Sequence, residues 1–225
     1  MAVKLTEGEV AELGRFRFAL ANTRYASGIG GIFRNAEACR SFLESVRQEI
    51  QAPSLKVAAS VFVKRFAFVA VGYLYALTVW DKKLLLSLDA IGMVTNHEDS
   101  NWLPEFCVQD IEAIPFQGGD REEWRKKAVH YLLEGMVTPV VNAVGKAAKV
   151  SREILWENIA VYISWLYEKV LDSKSHARVK EDFHYLMVEV IGEEAGRGSR
   201  KTCCLSYQLG KKQAFCTICP LACRG

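Results

Sequence analysis

The sequence predicts a mainly α-helical fold that contains a small β-hairpin or short sheet and ends in a cysteine-rich loop. Three observations favour this fold class. Half of the 225 residues are hydrophobic, which is enough for a sizeable core. Apolar residues recur at spacings of three and four in the second half of the chain, as on the buried face of a helix. Strand-like runs are short and lie only in the middle of the chain.

The first part of the chain is expected to be helical. Thr6 and Glu9 have the spacing of a capping box, which predicts a helix from there to about residue 21. A long apolar stretch follows later and contains many small residues that allow close packing. The other predicted elements are a glycine-rich loop at 25–31, a helix at 35–51 that Pro53 stops, and one long helix or two abutting helices at 54–80.

Two short apolar runs, 84–94 and 106–116, predict a small hairpin or a few short strands. Beyond them, Asp120 and Ser151 are residues that cap helices, and Pro139 suits a first helical turn. The predicted helices of the second half span about 120–134, 139–149, 151–171 and 175–191.

The predicted elements divide the chain after residue 118. Residues 1–118 form an N-terminal helical region with the small β element. Residues 119–225 form a C-terminal helical region that ends in the cysteine segment, which a glycine-rich stretch at 192–199 introduces. The alternative is that both regions form one continuous domain.

The N-terminus lacks the apolar stretch behind a basic start that marks a signal peptide. The longest uncharged apolar run, 66–80, has 15 residues, fewer than the ~20 that a transmembrane helix needs. We therefore expect a cytoplasmic protein without a transmembrane segment. Peripheral contact at the inner face of the membrane is the alternative.

The seven cysteines are unevenly distributed. Cys39 and Cys107 stand alone and are expected to be small core residues. In a reducing compartment, a crowd of thiols favours a metal or redox site over a disulfide framework. The remaining five fall within the last 23 positions and are Cys203, Cys204, Cys216, Cys219 and Cys223.

The basic charge coincides with this cysteine segment. Residues 197–225 contain six Lys or Arg and no acid, so they carry +6 in a chain of net charge +3, and residues 1–196 carry −3. A group that approaches the cysteines is therefore expected to be anionic. Separately, no nucleic-acid partner is expected. For the charge run alone, a solvated basic tail is the alternative.

Cys203-Cys204, eleven intervening residues and Cys216-x-x-Cys219 together supply four thiolates. That number suits a 2Fe–2S cluster, a 4Fe–4S cluster or a tetrahedral zinc ion. Adjacent side chains point apart, so binding both to one ion strains the backbone, whereas a two-iron cluster offers positions on two metals. The spacing favours an iron–sulfur cluster and leaves zinc and unliganded thiols open. Cys223 is a fifth candidate, interpreted as a spare.

Two blocks of sequence resemble the FhuF-type ferric-siderophore reductases. The first is Arg-Lys-Thr-Cys-Cys-Leu-Ser-Tyr at 200–207 followed by Cys-Thr-Ile-Cys at 216–219. The second consists of Pro-Val-Val at 139–141, Ile-Leu-Trp-Glu-Asn at 154–158 and Trp-Leu at 165–166. The resemblance covers roughly residues 136–219, and its cysteine block is the more diagnostic.

The resemblance implies that the C-terminal loop is an iron–sulfur cluster loop, with a 2Fe–2S cluster held by Cys203, Cys204, Cys216 and Cys219. It also implies one-electron reduction of a ferric siderophore and release of ferrous iron, because hard oxygen donors bind the reduced ion weakly. Anionic citrate or catecholate complexes suit the basic segment, and hydroxamate complexes are further candidates. The chain has no dinucleotide-binding motif. The electrons are therefore expected from an external donor such as a ferredoxin, a flavodoxin or a flavin reductase.

Seven residues are candidates for contact with the substrate. Trp156 and Asn158 are two apart on a predicted helix, so they face different directions. Trp156 is alternatively a core aromatic, Asn158 a hydrogen-bond partner of the cysteine loop, and Tyr207 a side chain that packs over that loop. The candidates are Arg200, Lys201, Lys211, Lys212, Tyr207, Asn158 and Trp156.

Two other functions stay open at this point. One is a zinc-stabilised interaction module, in which the same thiols have a structural role. The other is a siderophore-binding protein that carries a cluster but transfers no electron to iron.

Overall fold

The computed structural model describes residues 1–20, 28–95, 102–172, 176–192, 200–210, 215–216 and 218–222. These residues form a mainly helical protein with two small sheets, which confirms the predicted fold class. The α-helices are α1 (Glu7–Gly14), α2 (Gly30–Arg34), α3 (Ala36–Glu49), α4 (Leu55–Trp80), α5 (Arg121–Leu132), α6 (Thr138–Ala148), α7 (Arg152–Trp165) and α8 (Ala177–His184). The strands are β1 (Val3–Lys4), β2 (Phe18–Leu20), β3 (Lys82–Leu84), β4 (Gly92–Val94), β5 (Glu105–Val108) and β6 (Glu112–Pro115).

The chain forms two compact units, and each combines two separate stretches of sequence. The first unit consists of Met1–Arg34 and Phe68–Val140, and the second consists of Asn35–Ala67 and Val141–Gly225. Helix α4 contributes residues to both units. The boundary after residue 118 stays a prediction, because compactness does not show which stretches fold independently.

The first unit contains both sheets. One is antiparallel with the strand order β1-β6-β3, and the other has the order β2-β5-β4, in which β2 is parallel and β4 antiparallel to β5. The predicted apolar runs therefore do form short strands, which pair with two additional strands from the N-terminus. The buried residues of this unit include Leu13, Phe16, Leu74, Leu77, Phe106 and Val129.

The first helix is shorter than predicted. Its capping box is present as expected, with Thr6 Oγ1 accepting from the Glu9 amide and the Glu9 carboxylate accepting from the Thr6 amide. The helix ends at Gly14, and Arg17 then takes a left-handed conformation with φ 63°. After that turn, Phe18 begins a strand in which it pairs in parallel with Phe106. The predicted extension of this helix to residue 21 was wrong. Residues 18–20 form strand β2 instead, and the strand with which β2 pairs is distant in the sequence.

Helix α4 is a single 26-residue helix, which confirms the prediction of one long helix over that of two abutting helices. Within the described residues it is also the one helix long and apolar enough to cross a membrane, with a mean hydropathy of 1.6. Of its most apolar window, 83% is buried inside the protein. Its apolar surface is therefore used in packing.

Gly72 of α4 lies against an aromatic ring of the first unit. A Cβ atom at this position would lie 2.4 Å from Cε2 of Phe18, which is buried. We expect Gly72→Ala to lower the free energy of unfolding by about 1–3 kcal/mol, as overpacking does. Gly8→Ala in α1 is the control, since a Cβ atom there would meet nothing within 4 Å, and it should raise stability by about 0.5–1 kcal/mol. Urea titration of both variants checks the contrast.

The second unit is built of helices. Asn35 caps α3, which begins where the sequence predicted, and Ser151 caps α7 by accepting a hydrogen bond from the Ile154 amide, as predicted. π-helical turns continue α7 through Leu166–Val170 and α8 through Tyr185–Val190, so both predicted helices are confirmed. The core of this unit includes Leu43, Phe62, Phe66, Leu155, Ile159, Ile163 and Tyr167. The predicted glycine-rich exit lies almost wholly outside the described residues.

Candidate metal centre

The cysteine segment belongs to the second unit and has little regular structure. Cys203 and Cys204 precede Leu205, which is left-handed with φ 60°, and a short 3-10 turn, Ser206–Gln208. At the second cysteine pair, the amide of Cys219 donates to the carbonyl of Cys216 at 2.9 Å. All four predicted ligand residues are free of disulfides.

Cys203 and Cys219 have their sulfur atoms 3.9 Å apart. The Cys203 sulfur accepts the amide of Leu205 at 3.4 Å, while burial raises the pKa of this thiol. Cys219 is covered by its neighbours and is 1% exposed. Burial opposes its ionisation, but the amides of Leu221 and Ala222 outweigh that effect and lower its pKa.

The positive charge of Lys64 of α4 acts on both Cys204 and Cys216, and Cys204 has the largest electrostatic effect of any cysteine on Cys216. Cys204 is 2% exposed, and Cys216 is half-buried. Burial alone would raise the pKa of Cys204, but the Ser206 side chain and the positive charge of Lys64 outweigh it and lower that pKa. Burial and the neighbouring Cys204 sulfur raise the pKa of Cys216.

A buried carboxylate on α7 holds the backbone that leads into the first cysteine pair. Glu157 is 2% exposed. Its two carboxylate oxygens accept hydrogen bonds from the amides of Lys201 and Thr202, each at 2.9 Å. The Thr202 hydroxyl donates to the same carboxylate. A buried acid is costly unless such donors satisfy it, so these contacts fix the segment immediately before Cys203.

Arg200 is the charged partner of this carboxylate. Its side chain is 2% exposed, and its Nε lies 3.7 Å from Oε2 of Glu157. The guanidinium also donates to the carbonyl of Thr202 at 2.5 Å and to Oδ1 of Asn158 at 2.6 Å. Arg200 was predicted to contact substrate. That contact stays a prediction, and the described contacts of Arg200 are with protein groups.

Asn158 links the cysteine segment to α4. Its Nδ2 donates to the carbonyl of Ser60 at 3.0 Å and to the Ser60 hydroxyl at 2.9 Å. That hydroxyl in turn donates to the carbonyl of Cys204 at 2.8 Å. The interpretation of Asn158 as a hydrogen-bond partner of the loop therefore has support, through Arg200 and Ser60. We call Ser60, Glu157, Asn158 and Arg200 the polar platform.

Sequence reasoning missed Ser60, Lys64 and Glu157. Signals in the sequence could have identified two of them, Ser60 and Glu157. Ser60 is a polar residue inside the long apolar run of α4, and Glu157 is an acid between Trp156 and Asn158 on a helix whose neighbouring positions are apolar. A polar residue at such a position needs a buried partner.

The other candidate substrate residues have different surroundings. Trp156 is 3% exposed, as expected for a core aromatic, although its Nε1 has no hydrogen-bond partner among the described residues. Tyr207 packs against Phe215 with ring centroids 5.1 Å apart. Lys201 is exposed. Lys211, Lys212 and the spare Cys223 lie outside the described residues.

The chemistry of the donor set fits an iron–sulfur cluster. Thiolates are soft ligands that select zinc and iron–sulfur clusters. Ser206 Oγ is buried and has no hydrogen-bond partner in the described part of the chain, and its side chain acts on the neighbouring Cys204 thiol, so its hydroxyl can donate to that sulfur. In those same residues, no group of three or more His, Cys, Asp or Glu side chains is placed to hold one metal ion.

Comparison with known proteins identifies a family. A family described as ferric iron reductase FhuF-like transporter matches residues 60–213. The matched region begins at Ser60 and includes α7 and the first cysteine pair. No curated protein matches the chain.

Proposed function

Since the chain belongs to the ferric iron reductase FhuF-like family, we propose that it reduces the iron of ferric siderophores by one electron in the cytoplasm. The observation that carries the proposal is that the four thiols are free, that the Cys203 and Cys219 sulfurs lie 3.9 Å apart, and that a buried polar platform holds the backbone of the first cysteine pair. We propose that Cys203, Cys204, Cys216 and Cys219 hold a 2Fe–2S cluster. Such a cluster supplies single electrons when bound.

The proposed reaction changes only the charge of the substrate iron. One electron from an external ferredoxin, flavodoxin or flavin reductase converts Fe³⁺ to Fe²⁺, and no bond of the siderophore is cut. Hard oxygen donors hold the ferrous ion weakly, so it leaves the complex. Lys201 is exposed and, with Lys211 and Lys212, supplies positive charge that attracts an anionic complex.

The polar platform has a positioning role in this proposal. Glu157 and Ser60 fix the backbone on the two sides of the first cysteine pair, at Thr202 and at Cys204. Lys64 and Arg200 place positive charge near the Cys204 sulfur. Nearby positive charge and hydrogen bonds to sulfur raise the reduction potential of a cluster.

Anaerobically purified protein tests the proposal. We expect a red-brown sample that contains inorganic sulfide, bleaches with dithionite and is reoxidised by ferric citrate, hydroxamate or catecholate complexes in stopped-flow mixing. The gallium(III) complexes of the same siderophores are the control, because they have the same charge and cannot accept the electron. A colourless sample with zinc alone supports the interaction module instead. A reduced cluster that no ferric complex reoxidises supports binding without electron transfer.

A further inference from the structure

The two adjacent cysteines are directed to different places. Cys203 is half-buried and its sulfur accepts the amide of Leu205, whereas the Cys204 side chain is buried and its carbonyl accepts the Ser60 hydroxyl. The two adjacent side chains therefore have different surroundings.

The sulfur of Cys203 lies near one member of the second pair. The Cys203 and Cys219 sulfurs are 3.9 Å apart. Metal–sulfur bonds of about 2.3 Å at a tetrahedral angle place two thiolates about 3.8 Å apart on one metal. If these two thiolates share one metal, Cys204 and Cys216 are left as the second couple, and each couple takes one cysteine from each motif. Of the other three thiols, Cys204 also has the largest electrostatic effect on Cys216.

We propose that Cys203 and Cys219 bind one iron of the cluster and that Cys204 and Cys216 bind the other, an inference that rests on the proposed 2Fe–2S cofactor. This pairing means that neither the adjacent pair nor the Cys-x-x-Cys pair chelates a single iron. It also removes the strain that two consecutive side chains would meet at one ion.

The two irons would then have different surroundings. The positive charge of Lys64 acts on both thiols of the couple formed by Cys204 and Cys216. In the other couple, the Cys203 sulfur accepts the Leu205 amide and backbone amides act on the Cys219 thiol. Substitutions within one couple should affect the same iron, because both thiolates of a couple bind that iron.

Mössbauer spectra of ⁵⁷Fe-loaded double variants test the pairing. Replacing sulfur by oxygen changes the parameters of the iron concerned. In Cys203→Ser/Cys219→Ser and in Cys204→Ser/Cys216→Ser, we expect half of the iron absorption to keep its wild-type parameters. In Cys203→Ser/Cys204→Ser and in Cys203→Ser/Cys216→Ser, no wild-type component should remain. A wild-type component in either of the last two variants, and its absence from the first two, overturns the pairing.

Disulfide formation gives a second readout that needs no cluster. In the full chain with Cys223→Ser, four variants each retain one cysteine of each motif. We expect mild oxidation to link Cys203 to Cys219 and Cys204 to Cys216 at least tenfold faster than the crossed combinations, as measured by mass spectrometry of tryptic peptides. Equal rates, or faster crossed combinations, contradict the pairing. Wild-type protein without sulfide contradicts the proposed function instead, and the two failures are thereby distinguished.

Discussion

Glu157→Gln should lower the free energy of unfolding by about 3–5 kcal/mol, the cost of breaking a buried ion pair by removing one partner. The substitution leaves the guanidinium of Arg200 buried without a countercharge. It also replaces one of the two carboxylate oxygens by an NH₂ group, so one of the backbone amides of Lys201 and Thr202 faces a donor in place of an acceptor. Urea titration measures the loss, and iron and sulfide analysis measures whether cluster loading falls with it.

Two further variants sharpen this prediction. Glu168→Gln removes an exposed acid from the same helical segment and should change stability by no more than about 0.5 kcal/mol. Glu157→Gln/Arg200→Met removes both buried charges, so it should be less destabilised than the sum of the two single variants. If Glu157→Gln is as stable as Glu168→Gln, the carboxylate does not hold the cysteine segment.

Lys211→Glu/Lys212→Glu should slow reduction of anionic ferric complexes by at least about tenfold at low salt. The double reversal changes the charge of residues 197–225 from +6 to +2. Attraction between exposed charges is screened over a Debye length of about 8 Å at physiological ionic strength, so the difference from wild type should shrink as salt is added. Stopped-flow reoxidation of the reduced protein by ferric citrate measures the rate.

A matched control separates local charge from net charge. Lys126→Glu/Lys127→Glu makes the same change on α5, in the other unit, and should leave the rate close to that of wild type. Neutral hydroxamate complexes should react at similar rates with all three proteins. Equal slowing in both double variants would show that only the net charge matters.

The helices were predictable because their signals are local. The capping residues Thr6, Asn35, Asp120 and Ser151 lie next to the helices that they cap. The strands were less predictable since their pairing is non-local. Phe18 pairs with Phe106, which is distant in the sequence, and no feature near Phe18 indicates that partner.

The candidate ligands were predictable from spacing and resemblance, but the residues that hold the cysteine segment in place were not. Cys203 and Cys204 could be singled out because thiols crowd in one segment. Glu157 and Ser60 act on that segment only after folding, from positions on two different helices. A sequence shows that a buried polar residue needs a partner, but it does not show which partner the fold supplies.

The hydrogen bond from Ser60 to the carbonyl of Cys204 joins residues 144 positions apart. Both α4 and α7 leave the ribosome before the cysteines do, so the helices that receive the segment are synthesised ahead of it. A protein that donates iron to the thiols would therefore bind a cysteine segment that packs against helices synthesised before it. For the same reason, grafting residues 200–219 alone onto another scaffold would transfer the thiols without the groups that orient them.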